Sequence, residues 1–255
     1  MTYLRAFFHL VAYSLRRQLR SRKVLLGLVL LAMLSAVVVL IGLRTSWSAR
    51  MFGEVVVINM MGLFFLPVIT LMFGTAAIGD ERDEKSLVYV LTRPLARWSI
   101  YVGKFLGVLP IVLVFTIGSL YFLYALSASN GRPDLHGSVG AYAPAVLYGS
   151  LAYVAFFHLL TALFRHSTLI AIAYVFFIEV SIGLVPGILK RVSLRFYTSS
   201  MIYDSAEGFG LTPPRRGVFL PLDGETARWC LAGATILLLL LGSWVFARRD
   251  QHQAA

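Results

Sequence analysis

GDERDEKSLVYVLTRPLARWSIYVGKFLG, residues Gly79 to Gly107, is the stretch where charge, helix signals and apolar segments interlock. Asp80 reads as an N-cap. Glu81, Asp83 and Glu84 would then place carboxylates in a first helical turn, where the dipole and the unpaired N–H groups favour them. Leu87, Val90 and Leu91 follow on one face at i, i+3, i+4 spacing, with Lys85 and Tyr89 elsewhere, so the pattern predicts a short amphipathic helix over about 80–92. Pro94 ends it. The residue before a proline is pushed out of the helical region, which makes Arg93 the break, and Pro94 suits the first turn of a new helix through Arg97, Gly103, Lys104 and Gly107. On charge alone, a solvated loop fits equally well.

Outward from that stretch the chain is mostly membrane. Its 255 residues are 58% hydrophobic and only 14% charged, with a mean hydropathy of +0.79, which excludes a soluble domain. A span needs about 20 mainly apolar residues. Six stretches qualify, at about 24–43, 55–78, 98–126, 141–164, 169–189 and 229–246. The longest connection between them, about 190–228, is shorter than the ~50 residues a free-standing domain needs. The expected fold is therefore all-α, a single polytopic membrane domain of six transmembrane helices. Cys230 is the single cysteine, which excludes an internal disulfide and a cysteine metal cluster. The net charge of +11 comes from basic residues flanking apolar spans, a mark of membrane topology and anionic lipid rather than of nucleic acid.

Residues 2–23 form an amphipathic segment, with Leu4, Phe8, Val11, Leu15 and Leu19 on one face and Arg5, His9, Arg16 and Arg20 on another, which should lie in the membrane interface. A signal peptide is the competing reading, but the basic region is too long and the run Val24 to Leu43 is of spanning length. Counted over the six-span topology, 14 basic residues fall on the side of the N-terminus and 9 on the other. That places both termini in the cytoplasm. Span two carries Pro67 as a kink and Asn59 as an isolated polar group expected to bond to a neighbouring helix. In span three, Gly103 and Gly107 are a small-xxx-small pair suited to close packing, and Lys104 between them is expected to snorkel to the interface. The external connection 190–228 opens with Leu189, Val192 and Phe196 at helical spacing, an interfacial or re-entrant helix, and its remainder reads as a lid over the external helix ends.

Chemistry has few footholds. Gly103-Lys104 is followed by Phe105, so the phosphate cradle of a P-loop is missing, and no cofactor site is read in this chain. The histidines share no metal-ligand spacing and no nucleophile motif is present. Glu179 is the carboxylate set deepest in an apolar span, about 10 residues or roughly 15 Å from the nearer end. Such a group is a functional candidate by default, and it reads equally as one hydrogen-bonded to an adjacent helix. His158 lies roughly 9 Å deep in span four, and a polar contact between helices accounts for it better than a pair with Glu179.

The acidic cluster, Ser86-Leu87, Leu91-Thr92-Arg93-Pro94-Leu95-Ala96-Arg97 and Gly103-Lys104-Phe105-Leu106-Gly107, in that order, resembles the cytoplasmic segment of type-2 ABC transporter permeases. It resembles especially the compact six-span subfamily that includes the permease of nitrous-oxide reductase maturation systems. The resemblance implies a coupling helix that sits in a groove of an ATPase subunit, carried here by Asp80, Glu81, Glu84, Leu87, Leu91, Thr92, Arg93, Pro94 and Arg97. One departure is Lys85-Ser86, where family members commonly have Gly-Thr. The resemblance further implies a homodimer of this chain with two copies of a separate ATPase, which holds ATP and Mg, in the inner membrane of a prokaryote. ATP closure would displace the coupling helix, and spans two and five would rearrange around a central cavity to export a substrate. A second reading keeps the ATPase but transmits force to an external or periplasmic partner protein, through the 190–228 connection, without moving a solute. An intramembrane enzyme built on Glu179 and His158 ranks last, since it needs polar groups that converge.

Overall fold

The computed structural model describes residues 2–86, 95–128, 137–181, 188–213 and 221–248. Their regular elements are all helical: α1 (Thr2–Leu19), α2 (Arg22–Arg44), α3 (Ala49–Asp83), α4 (Arg97–Ala128), α5 (Ser138–Leu163), α6 (Ser167–Ser181), α7 (Leu194–Ser205) and α8 (Gly224–Arg248). Five of them, α2, α3, α4, α5 and α8, are long and apolar enough to cross a membrane. Among the described residues, the stretch 169–189, expected as a sixth span, holds most of α6, an α segment of 8 residues running into a π segment of 7, and the start of a 3-10 turn at Ile188; residues 182–187 lie outside them, and a sixth span is not confirmed.

Contacts at the helix ends define two ends of the bundle. At one, Arg82 near the C-terminus of α3 donates to the Thr161 and Phe164 carbonyls at the end of α5. At the other, the Tyr142 hydroxyl near the start of α5 donates to the Ala49 carbonyl at 3.3 Å. We call these the Asp80 end and the Trp47 end. α6 leaves from the Asp80 end, whereas α7 finishes at the Trp47 end, where Ser205 Oγ donates to the Ala141 carbonyl at 2.8 Å. Among the described residues, α6, a 3-10 turn (Ile188–Val192) and α7 lie along this return from one end of α5 to the other.

α5 is the most enclosed helix: 72% of its apolar window is buried, against 11% for α2, which packs one stripe on the bundle and leaves the rest open. The connection 190–228 is more than the expected lid. α7 within it is embedded between α5 and α8, with Thr198, Ser199, Ser200, Met201 and Ile202 buried. Contact is close enough that a Cβ on Gly149, midway along α5, would lie 2.5 Å from the Thr198 methyl. A row of small and hydroxylated residues lets α7 pack deep, the Thr198, Ser200 and Ser205 hydroxyls returning to carbonyls of their own helix, as Ser200 Oγ does to Phe196 at 2.8 Å. The remaining lid residues 214–220 lie outside the described residues.

α3 changes character along its length. Phe52–Phe65 is π-helical and Leu66–Asp83 is α-helical. Pro67, expected as a kink, stands at the changeover, where a residue with no N–H loses least. Asn59 does not bond to a neighbouring helix. Its Nδ2 donates 2.6 Å to the Glu54 carbonyl of its own helix, because the wide π turn brings the side chain over the residue five positions back, and the residue is exposed.

Candidate coupling site

Asp80 is not an N-cap. The helix that crosses from the Trp47 end runs on through Gly79 and Asp80 and stops at Asp83, so the acidic cluster ends a helix instead of starting one. The stop is a Schellman turn: the Lys85 N–H bonds to the Arg82 carbonyl at 3.0 Å and the Ser86 N–H to the Glu81 carbonyl at 2.9 Å. Lys85 takes the left-handed position with φ 56°, where glycine is usual. The amphipathic helix over 80–92 is therefore corrected at its start. Leu87, Leu91, Thr92, Arg93 and Pro94, and with them the body of that helix and the break at Arg93, lie outside the described residues. Arg97 opens α4.

Four carboxylates at the negative end of a helix dipole are unfavourable unless cations answer them. Three do, each from a different helix. Lys23 of α2 binds Asp80, with Nζ 2.8 and 2.7 Å from its two oxygens. Arg17 of α1 reaches Glu81 at 3.0 Å and Glu84 at 2.6 Å. Lys104 of α4 binds Glu81 through its ammonium, which also donates 3.0 Å to the Ala77 carbonyl one turn earlier. Glu81 is the node of this set, 3% exposed at its side chain, with Lys104 at 1%. Lys104 therefore does not snorkel. It points inward because a buried carboxylate awaits it there and the Ala77 carbonyl has a second lone pair to accept its ammonium. Partial burial disfavours the Arg17 charge, but Glu81 and Glu84 outweigh that, and its pKa is held above the ordinary guanidinium value.

α1 reaches this node because the small residues of α4 let it approach. A Cβ at Gly107 would meet Ser14 Cβ at 2.6 Å, and one at Gly103 would meet Leu10 at 3.1 Å. The Tyr3 hydroxyl donates to Ser99 Oγ at 2.8 Å. Leu10, Ile78, Ile100, Tyr101, Ala162 and Phe246 close a small apolar cluster beneath, from α1, α3, α4, α5 and α8. The last turn of α3 is thus fastened by ion pairs to α1, α2 and α4, and Arg82 adds α5 by binding the carbonyls that helix leaves unpaired at its C-terminus.

The intramembrane candidates do not converge. Glu179 is fully buried and accepts four donors: the Tyr174 hydroxyl at 2.8 Å, Ser193 Oγ at 2.5 Å, and the Leu194 and Arg195 N–H groups at 3.1 and 3.2 Å. The last two are the first free N–H groups of α7, so Glu179 caps from α6 the helix that continues the traverse. His158 is also fully buried, with Nδ1 3.3 Å from the Gly74 carbonyl and Nε2 3.2 Å from the Tyr101 carbonyl. It ties α5 to α3 and α4, not to Glu179. Arg17, Lys23, Tyr174 and Ser193 escaped the sequence reading. Lys104 carried a signal, since a lone lysine in an apolar helix implies a buried counter-charge.

The five long apolar helices accord with one comparison. Residues 9–251 match the family model described as ABC-2 family transporter protein. The chain belongs to that family. No curated protein matches it significantly. This ABC-2 chain is a multi-pass membrane component of a transporter of that family, whose membrane subunits are typically non-catalytic and work with an ATPase.

Proposed function

We propose that this ABC-2 chain is the permease subunit of an exporter, coupling ATP hydrolysis on a separate ATPase to movement of a substrate across the inner membrane of a prokaryote. It works as a homodimer with two ATPase copies, both termini on the ATPase side, and its sequence pattern resembles that of the compact subfamily of the nitrous-oxide reductase maturation permease. One observation carries the reading: the Glu81 node joins α1, α3 and α4 within the stretch 80–92, whose sequence resembles a coupling helix. A push on that segment reaches the last turn of α3 first. From there it passes by ion pairs to α1, α2 and α4 and through Arg82 to α5. Rigid coupling of this kind suits a lever whose two positions favour different substrate affinities.

The test is reconstitution. The full chain in nanodiscs is combined with ATPase subunits from the same cell, and ATP turnover is compared for wild type, Glu84→Ala and Leu91→Ala. Stable co-purification, with turnover in wild type that both substitutions uncouple, is the expected result. If no ATPase associates with the intact chain, the lever reading is wrong.

A further inference from the structure

α1 presents three stripes about 95–145° apart at 100° per residue. Leu10, Ser14 and Arg17 face the bundle. Leu4, Phe8 and Leu19 form a second stripe and are 65, 62 and 53% exposed. Arg5, His9, Arg16 and, in the turn beyond the helix, Arg20 form a third, also exposed. Before Glu54 the chain has no acidic residue at all. Arg17 and Lys23 are taken by carboxylates of α3, whereas Arg5, Arg16 and Arg20 make no ion pair among the described residues.

We propose that the outer faces of α1 bind anionic phospholipid headgroups, making α1 a strap that ties the Glu81 node to the bilayer surface. A small free anion would need only the arginines. The adjoining apolar stripe calls for a ligand that joins a negative headgroup to acyl chains, and an integral membrane protein has that ligand beside it. Each arginine near an anionic surface is worth about a fivefold change in affinity, so three together reach at most about a hundredfold.

The test uses the full chain in nanodiscs, without ATPase, so that it can fail independently of the coupling reading. A fluorophore is placed at Ala12→Cys, which lies between the two exposed stripes, in a Cys230→Ser background that removes the native exposed thiol. Quenching by trace spin-labelled phosphatidylglycerol is compared with quenching by spin-labelled phosphatidylcholine. The expected result is preferential quenching by phosphatidylglycerol that shrinks as salt rises. Arg5→Gln/Arg16→Gln/Arg20→Gln should abolish the preference, and Arg16→Gln alone should weaken it about fivefold if the triple variant does not fold. Equal quenching by the two lipids, or a preference that survives in the triple variant, would overturn the proposal.

Discussion

Glu81→Gln should be among the most damaging single-atom exchanges in this protein. The carboxylate holds Lys104, 1% exposed, and Arg17, 22% exposed. Without its charge, Lys104 keeps the Ala77 carbonyl and an amide oxygen but stays buried. Breaking a buried pair by removing one partner costs about 3–5 kcal/mol, and the surviving acceptors place this case at about 3. Arg17 retains Glu84 and access to water, so its share adds at most about 1 kcal/mol. At this chain length about 3 kcal/mol lowers Tm by about 6–12 °C. Lys104→Met should cost less, about 1–2 kcal/mol, because Glu81 keeps Arg17 and the methionine fills the space of the lysine stem. The double variant removes both buried charges and should recover about 2 kcal/mol relative to the sum of the singles. Thermal unfolding of the full chain in nanodiscs, followed by tryptophan fluorescence, reads all four members of the cycle. If Glu81→Gln lies within about 0.5 kcal/mol of wild type, or the double variant is simply additive, the node does not hold the helices as described.

Lys85→Gly should stabilise the chain by about 1 kcal/mol in the same assay, since it relieves a left-handed residue at the Schellman turn, and a loss of stability would show that the side chain makes a needed contact. Gly242→Ala should cost about 1–3 kcal/mol, because its methyl collides with the Tyr101 hydroxyl where α8 meets α4; unchanged stability would mean α8 can slide freely. Glu179→Gln should cost about 2 kcal/mol and speed amide exchange at the start of α7, because an NH2 group then confronts donors that had a carboxylate oxygen. Faster exchange confined to another helix would refute the capping role.

Much of the fold was legible along the chain, and the physical reason is that a bilayer reads composition locally. The hydrocarbon core selects runs of apolar residues, so the spans at 24–43, 98–126, 141–164 and 229–246 differ from α2, α4, α5 and α8 by only a few residues at each end. The small pair Gly103 and Gly107 also announced a close helix contact, though not that α1 would make it. The acidic cluster misled for an equally physical reason. Propensity places carboxylates at a helix N-terminus, and they are tolerated at the C-terminus of α3 only because Arg17, Lys23 and Lys104 arrive from three other helices. Glu179 is the same case in reverse. Its isolation in an apolar run suggested chemistry, whereas its partners are the first N–H groups of a helix that begins 15 residues later. Local patterns in the sequence determined where the chain meets lipid and which family it joins; pairings between distant charges and helix ends, set by tertiary packing alone, decided which way each charged group faces.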